Sequence, residues 1–393
     1  MNDRSFENSL YETGDSRNER GRTPGCQGTC PLDTISKIVI TGGPCAGKTT
    51  GMSRIRKAFT ERGYTVLFIP ETATELISGG VAPWTCSSNV EYQKCQLRLQ
   101  LEKEKIFEYA ASTMNAEKIL IVCDRGALDN RAYMTDAEFA RVLNSIGANE
   151  VELRDHYDAV FHLVTAAKGA EAFYTTANNA ARTETIAQAA ALDDKLIAAW
   201  TGHPHLRILE NSGDFEEKMK RLVAEIATFL GEPEPYEIER KFLIEYPDIN
   251  ALEAMPNCEK VEIIQTYLRS DTDEEVRIRQ RGAKGHSIYF ETRKTAVTGL
   301  KRVEVERQLS KDEYLERLMD ADPTRRPIRK DRYCLADGSQ YFEIDVYPFW
   351  KDRAILEIEL SDPQEEIRFP EILKVLREVT DDPAYKNSSL AKM

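Results

Sequence analysis

The stretch Lys37–Thr50 reads KIVITGGPCAGKTT, an apolar strand followed at once by a glycine-rich turn. Gly42 through Thr49 satisfy the pattern G-x-x-x-x-G-K-[ST], whose glycines let backbone N–H groups curl around phosphate oxygens. A helix that begins near Lys48 would direct its positive N-terminal end at the same anion. The strand before the turn and the helix after it are the context that this motif requires, so the stretch predicts a nucleoside triphosphate site.

The residue types in the turn indicate what each member does. Lys48 is expected to reach the β and γ phosphates, and the Thr49 hydroxyl is expected to ligate Mg²⁺. The expected cofactor is GTP or ATP with Mg²⁺. The other phosphate-binding candidates are Gly42, Gly43, Pro44, Cys45, Ala46, Gly47 and Thr50.

Alternating strands and helices place this turn in a parallel α/β domain. A helix follows from Lys48 to about Arg62, and a last helix ends at Gly231 before a segment with two prolines, which is typical of a linker. The further strands are predicted at 65–69, 118–123, 159–164 and 206–210. The predicted division is a disordered tail at 1–34, a P-loop domain at 35–230, a linker at 231–235 and a second domain at 236–390.

Polar residues follow the ends of these strands. Asp124 and Arg125 come after the third strand, where an acidic group approaches Mg²⁺ in phosphoryl-transfer sites. The pair resembles the Asp-Arg element of P-loop nucleoside and nucleotide kinases, with a solvated turn as the alternative. Related kinases carry a lid with arginines at the position of Arg182, which implies a phosphate contact for this residue, with a solvated helix arginine as the alternative. In P-loop kinases the loop at Asn211 often packs on the base. No Asn-Lys-x-Asp guanine motif occurs, so a Ras-like GTPase fold is not expected.

The composition narrows the classes of partner. A net charge of −13 and a pI near 5.2 argue against a general attraction to nucleic acids or membranes. No apolar run approaches the roughly 20 residues of a membrane span, and the first ten residues lack the apolar stretch of a secretory signal. We therefore expect a cytoplasmic protein with no nucleic-acid partner and peripheral membrane association at most.

The second domain alternates charged with apolar residues in short segments, a pattern typical of antiparallel strands. Charged residues two apart share one face of a strand. A solvent-facing stripe is the ordinary interpretation. In a closed barrel the same faces would point inward, where acids bind Mg²⁺ and cations bind phosphate oxygens. The strands are predicted at 236–245, 261–269, 275–281, 287–294, 301–309, 341–346 and 354–360.

The segment Glu237-x-Glu239-x-Lys241 resembles the opening motif of the CYTH, or triphosphate tunnel, family. Further motifs follow in family order over about 236–390: an arginine strand with Arg277 and Arg279, Thr292-Arg293-Lys294, Glu304-x-Glu306, Lys330-x-Arg332, Asp345 and Glu357-x-Glu359. The resemblance implies a barrel that binds Mg²⁺ or Mn²⁺ through Glu237, Glu239, Glu304, Glu306, Asp345, Glu357 and Glu359. It also implies phosphate neutralisation by Lys241, Arg277, Arg279, Lys294, Lys330 and Arg332. The candidate catalytic residues of the chain are then Lys48, Asp124, Lys241, Arg279 and Lys294.

The pair of domains resembles the TRPL translocation defect protein family, which joins a NadR-like P-loop domain to a CYTH-like barrel. That resemblance implies a GTP-binding regulator of membrane protein trafficking, with partners among trafficking proteins and a barrel that binds acidic phospholipid headgroups such as phosphatidic acid or phosphoinositides. Arg325–Lys330 is the candidate headgroup patch, with a solvated loop as its alternative. The other hypothesis is a bifunctional enzyme, with small-molecule kinase activity and a metal-dependent triphosphatase or cyclase that acts on polyphosphate or ATP.

Overall fold

The computed structural model describes residues 34–171, 185–232, 238–270, 274–298, 301–360 and 364–392, without the side chains of 295–298 and 301–305. These residues form a five-stranded parallel sheet followed by a nine-stranded antiparallel sheet. The predicted fold class, a parallel α/β domain followed by an antiparallel β domain, is confirmed. Most of the predicted tail and linker lies outside the described residues.

The first sheet has the strand order β2-β3-β1-β4-β5, with every pair parallel. The carboxyl ends of its strands therefore meet at one edge, where ligands bind in open α/β folds. Its elements are β1 (Thr34–Thr41), α1 (Lys48–Glu61), β2 (Thr65–Ile69), α2 (Thr72–Ser78), α3 (Asn89–Thr113), β3 (Lys118–Asp124), α4 (Asp136–Ile146), α5 (Glu150–Asp155), β4 (Ala159–Leu163), α6 (Ile186–Trp200), β5 (Leu206–Leu209) and α7 (Phe215–Phe229).

The central strand β1 is buried on both faces, which explains its continuous apolar sequence. Val39 packs into one hydrophobic cluster, and Ile38 and Ile40 pack into the other. The strand begins at Thr34, three residues before the predicted start at Lys37. The turn that follows β1 is thus attached to the most constrained strand of the domain.

The second sheet has the order β10-β9-β8-β7-β11-β12-β13-β6-β14. Two strands, β11 and β14, are absent from the sequence prediction. β11 lies between β7 and β12, so the prediction lacks a central strand rather than an edge. The elements are β6 (Ile238–Glu245), α8 (Ile249–Glu253), β7 (Cys258–Tyr267), β8 (Glu275–Ala283), β9 (His286–Thr298), β10 (Lys301–Leu309), α9 (Lys311–Arg317), β11 (Ile328–Asp337), β12 (Gln340–Val346), β13 (Arg353–Leu360), β14 (Val375–Glu378) and α10 (Asn387–Leu390).

The two domains meet in a buried polar contact. Arg281 on β8 donates to Asp155 of α5 at 2.9 Å, and both side chains are buried. The Gly202 N–H donates to the Tyr341 hydroxyl at 2.8 Å, and that hydroxyl lies 3.1 Å from the carbonyl oxygen of His203. A buried ion pair with this geometry fixes the register of two surfaces, because breaking it leaves an uncompensated charge.

His203 lies in this contact as a neutral imidazole. Its Nε2 is 2.9 Å from the carbonyl oxygen of Tyr157, and its Nδ1 accepts from the His205 N–H at 3.0 Å. One nitrogen thus donates and the other accepts, which is the pattern of the uncharged ring. Burial lowers the pKa of His203 to about 3.

Candidate functional site

The glycine-rich turn joins β1 to α1 with a backbone that requires glycine. Gly42 has φ 141, and a Cβ there would lie 2.1 Å from the carbonyl oxygen of Leu163. Gly47 has φ 92 and begins α1 with no side-chain cap. Because Gly47 has no side chain to cap the helix, the first N–H groups of α1 can donate hydrogen bonds to a bound anion.

Lys48 lies where the motif places it. Its Nζ donates to the carbonyl oxygen of Gly42 at 3.0 Å. Burial, together with the nearby Arg125 guanidinium, lowers the pKa of Lys48 to about 8. A bound polyanion would favour the charged form. Thr49 and Thr50 lie in the exposed first turn of α1.

Asp124 and Arg125 lie beside Lys48 at the end of β3. Arg125 donates to Glu71 at 2.6 Å and lies 3.2 Å from Asp129. Burial alone would raise the pKa of Glu71, but Arg125 and Lys48 outweigh it and lower the pKa to about 2. The predicted Asp-Arg element is thus part of an ion-paired cluster, and Glu71 serves to hold Arg125.

Asp124 has the properties of a cation ligand. Its Oδ1 is buried without a hydrogen-bond partner among the described residues. Burial raises the pKa of Asp124, with a smaller contribution in the same direction from Glu71. A buried carboxylate oxygen without a donor costs free energy unless a cation or donor approaches. The oxygens of Asp124 and Thr49 therefore fit Mg²⁺, which prefers such hard ligands.

Asn211 follows β5, and its amide is already used within the protein. Its Nδ2 donates to the carbonyl oxygens of Thr165 and Lys168, both at 2.7 Å. Its Oδ1 accepts from Lys218 at 2.6 Å, and burial lowers the pKa of that lysine to about 8. Asn211 ties two loops together, so its side chain shapes this region rather than offering an amide to a base. Arg182 lies outside the described residues.

Asp193 on α6 supports the turn but was not among the sequence candidates. Its Oδ1 accepts from the Gly43 N–H at 2.9 Å and from the Thr165 N–H at 3.2 Å. His162 and Lys168 lie 3.0 Å from the same carboxylate, outweigh its burial and hold its pKa well below the ordinary value. Within the segment LDDK nothing local distinguishes this residue from a solvated helix acid.

Buried charges of alternating sign link the strands of the second sheet. Arg332 on β11 donates twice to Asp345 on β12, at 2.7 Å each, and to Glu357 on β13 at 2.6 Å. Lys330 pairs with Asp345, and Lys241 on β6 pairs with Glu357. We call these residues the interior charge network: Lys241, Lys330, Arg332, Asp345 and Glu357.

The interior charge network is shielded from solvent and electrostatically complementary. Asp345 is 0% exposed, Glu357 4% and Lys330 5%. Burial would raise the pKa of Glu357, but Lys241, Lys330 and Arg332 outweigh it and hold the pKa well below the ordinary value. Opposed register explains the pairs, because Arg332 lies opposite Asp345 and Lys241 opposite Glu357.

The sheet curls so that distant strands face each other. Lys294 on β9 is close enough to Glu239 of β6 to exert a lowering effect on the pKa of that carboxyl, although five strands separate β9 from β6 in the sheet order. On the same side, Arg279 lies 3.7 Å from Glu306, which accepts from Thr292 at 2.9 Å. Arg277 is buried on the same strand as Arg279. The sheet thus encloses an interior to which most of the predicted cations contribute.

Two family models cover most of the chain: an AAA domain over residues 37–218 and a CYTH domain over residues 235–384. An inorganic triphosphatase from Acetivibrio thermocellus is 31% identical over 160 residues, which are 40% of this chain and 93% of that protein. The chain belongs to the CYTH family. Two crystal structures of NE1496, one described as a hypothetical protein and one as an inorganic triphosphatase, are 31% and 30% identical. Each alignment covers 40% of this chain. The first covers 98% of its NE1496 chain with a TM-score of 0.29, and the second covers 95% with a TM-score of 0.28.

The metal-binding capacity of the CYTH domain rests on few carboxylates. Among the residues that the structure describes, no three His, Cys, Asp or Glu side chains are grouped as a metal site. Asp345 and Glu306 instead contact cations or a hydroxyl. Glu237 lies outside the described residues, as does the side chain of Glu304.

Glu239 and Glu357 converge on one lysine. Both contact Lys241, which lies 3.0 Å from Glu239. Burial raises the pKa of Glu239 in spite of that lysine. Because Mg²⁺ commonly uses one or two carboxylates together with substrate phosphates, this pair fits the ion.

The basic run Arg325–Lys330 is not one surface patch. Arg326 and Arg329 are exposed, whereas Lys330 is buried in the interior charge network. Arg325 lies over the ring of Tyr267, 4.8 Å from its centroid. β11 begins at Ile328 and divides the run between a loop and the barrel. In the described part of the chain, every helix is too short or too polar to cross a bilayer.

Proposed function

We propose that the CYTH domain hydrolyses a linear triphosphate with the help of a divalent metal, and that the P-loop domain binds a nucleoside triphosphate with Mg²⁺. The observation that carries the first part is the interior charge network. Several cations held inside a barrel, each opposed by a carboxylate, form a site for a chain of phosphates and a metal. The inorganic triphosphatase from Acetivibrio thermocellus supports the same reaction class.

The chemistry divides between acids and cations. Glu239 and Glu357 would hold the metal, which when bound supplies charge neutralisation and a Lewis acid at the attacked phosphoryl group. Lys241, Lys330 and Arg332 donate to phosphate oxygens, Arg332 with two parallel N–H groups. A water oxygen forms a bond to phosphorus as the bridging P–O bond breaks. The cations stabilise the charge that gathers on the leaving diphosphate.

In the P-loop domain, Thr49 and Asp124 would hold Mg²⁺, and Lys48 would contact the terminal phosphates. Arg125, fixed by Glu71 and Asp129, presents a second, largely buried cation next to Lys48. Two cations beside a transferring phosphoryl group suit kinase-type chemistry, in which positioning and charge stabilisation dominate. We propose this chemistry, with a small molecule as acceptor, for the first domain.

Phosphate release from tripolyphosphate, ATP and GTP with Mg²⁺ or Mn²⁺ tests the barrel. We expect turnover above about 1 s⁻¹ with at least one of these substrates. Lys330→Met should lower kcat/KM by about 100-fold or more, because it removes a preorganised donor to phosphate. The matched control is Lys374→Met, which removes an exposed lysine paired with Glu245 and should leave turnover unchanged. Wild-type turnover that Lys330→Met does not affect would refute the assignment.

Nucleotide titration tests the P-loop domain separately. Lys48→Ala should weaken ATP or GTP binding at least about tenfold, because a charge-assisted contact is lost. It should leave tripolyphosphate hydrolysis unchanged. Unaltered nucleotide affinity in this variant would overturn the assignment of the first site, whatever the barrel does.

The regulatory interpretation is the other outcome of these assays. Tight GTP binding and capture of vesicles that contain phosphatidic acid or phosphoinositide, without phosphate release, would support the trafficking role that the TRPL translocation defect family implies. The enzymatic function is better supported, because the matched relative is a triphosphatase and the basic run is divided between loop and barrel.

A further inference from the structure

An arginine of the P-loop domain reaches into the CYTH domain. Arg207 lies on β5, an edge strand of the first sheet. Its guanidinium pairs with the carboxylate of Glu359 on β13, and its Nε lies 3.7 Å from Glu225 on α7. The Arg207 side chain is 20% exposed and that of Glu359 is 30% exposed. This ion pair therefore crosses the domain boundary in a largely enclosed position.

Glu359 continues the row of acids that faces the barrel interior. It lies two residues from Glu357 on the same strand, so both side chains are on one face. It also lies opposite Glu239 in the register of β13 and β6. The partner of Arg207 is thus a neighbour of both carboxylates proposed to hold the metal.

A cavity of about 710 Å³ lies at this end of the barrel. Both domains line it: Arg207, Arg221 and Glu225 from the first, and Glu239, Glu357 and Glu359 from the second. The end of the interior that carries the acids therefore opens onto the P-loop domain. Any triphosphate that extends into this cavity would come close to the guanidinium of Arg207.

The position of Arg207 is fixed by its surroundings. The Gly202 N–H donates to Tyr341 of β12 only a few residues before β5 begins, and the Arg281–Asp155 pair lies in the same contact. A site residue held by packed strands keeps its geometry better than one on a loop. The contact between the two domains thus holds the Arg207 side chain against Glu359 in a defined orientation.

We propose that Arg207 is a positioning residue of the triphosphate site, so that the P-loop domain completes the CYTH tunnel. Arg207 orients Glu359 and supplies a positive charge where the interior is most acidic. The ligand class is a linear triphosphate, and the inference rests on the proposed function of the barrel. Removal of Arg207 would leave Glu359 beside Glu239 without its arginine, so a polyanion would bind more weakly.

Calorimetric titration of the full chain with tripolyphosphate in EDTA tests this without metal. For Arg207→Ala we expect about a tenfold or larger increase in Kd, because the guanidinium no longer offsets the charge of the Glu359 carboxylate near the polyanion. With Mg²⁺, KM should rise by a similar factor while kcat stays within about twofold, since positioning affects binding more than chemistry. Arg207→Lys keeps the charge and should restore much of the affinity.

Arg240→Ala is the matched control. Arg240 lies on β6 between Glu239 and Lys241, but its side chain pairs with the exposed Glu378 outside the interior. This variant should bind tripolyphosphate like the wild type, and thermal unfolding should show all three variants to be folded.

The outcomes separate the two proposals. If the wild type binds tripolyphosphate and Arg207→Ala has the same Kd and KM, the role of Arg207 is refuted and the pair only joins the domains. If Arg207→Ala does not fold, Arg207→Lys serves as the test instead. A folded Arg207→Lys protein whose Kd for tripolyphosphate is still about tenfold or more above the wild-type value would refute the argument that the charge of Arg207 matters. If the wild type neither binds nor hydrolyses tripolyphosphate, the proposed function fails together with this inference.

Discussion

Replacing Glu357 by glutamine removes a buried negative charge that Lys241 and Arg332 share. Removing one partner of a buried ion pair costs about 3–5 kcal/mol of stability, because a charge is left uncompensated. Here Arg332 keeps Asp345 and Lys241 keeps Glu239, so we expect the lower end, about 3 kcal/mol. The isosteric amide preserves volume and isolates the loss of charge.

The same substitution should strengthen the binding of a polyanion in the absence of metal. The interior gains one net positive charge, and a unit charge about 5 Å from a phosphate at an effective dielectric near 20 contributes up to about 3 kcal/mol. We expect at least about 1.4 kcal/mol of this, which is a tenfold gain in tripolyphosphate affinity in EDTA. Metal-dependent turnover should fall, because Glu357 is a proposed metal ligand.

Thermal unfolding with and without tripolyphosphate measures both effects. A loss of about 3 kcal/mol corresponds to a Tm decrease of about 6–12 °C for a domain of this size. Tripolyphosphate should raise the Tm of Glu357→Gln by more than it raises the Tm of the wild type, because the variant binds this ligand more tightly. The control Glu378→Gln removes an exposed acid paired with Arg240 and should cost less than about 1 kcal/mol. A Glu357→Gln protein that is as stable as the wild type, or binds tripolyphosphate more weakly without metal, would refute the reasoning.

Three further predictions concern the first domain and its contact with the second. Gly42→Ala places a Cβ 2.1 Å from the Leu163 carbonyl oxygen. Urea unfolding should therefore show a free energy of unfolding lower by at least about 2 kcal/mol, and nucleotide titration should show no binding. A stable variant that binds nucleotide would contradict this prediction. The pKa of His203 is lowered to about 3, so the unfolded chain binds a proton that the folded chain does not, and stability should fall as the pH drops from about 6.5 towards 3. His203→Gln should flatten part of that decline, and an unchanged profile would argue against it. Asp155→Asn takes the carboxylate from the buried Arg281 and Arg154, so chemical unfolding should show a loss of about 3 kcal/mol, and a loss below about 1 kcal/mol would show that these pairs are dispensable.

The sequence predicts those elements that depend on local pattern. The strand at 65–69 has the predicted bounds, and the last helix of the first domain, predicted to end at Gly231, spans Phe215–Phe229. The first strand, the glycine-rich turn and α1 form one contiguous motif, so their contacts with one another follow from chain order. For such segments apolar periodicity and helix stop signals are sufficient.

The strand β11 was not predicted because its inward face is charged. Ile328-Arg329-Lys330-Asp331-Arg332 contains four charged residues in succession, which conceals the alternation of a strand. In an ordinary sheet the buried positions would be apolar. In this barrel the inward positions are Lys330, which is buried, and Arg332, which is half-buried, and their carboxylate partners on other strands, Asp345 above all, explain them.

Residues that act across long separations in the chain could not be predicted from spacing. Arg207 lies in the segment LRIL, which is typical of a buried edge strand, and its partner Glu359 belongs to another domain. Asp193 resembles a solvated helix acid until α6 is packed against Gly43. Both assignments require the docking of elements, and local sequence preferences do not encode that information.

The net charge of −13 suggests a chain that repels polyanions, yet both candidate sites are built for them. Position resolves the conflict. The glycine-rich turn relies on backbone N–H groups and Lys48, and the interior cations Lys330 and Arg332 are already opposed by carboxylates. On the proposed function, a triphosphate binds these cations fully only when another positive charge satisfies the carboxylates, and a divalent metal supplies that charge. Metal and substrate should therefore each strengthen the binding of the other in the barrel. This property follows from the pairing of buried charges and cannot be read from the net charge of the sequence.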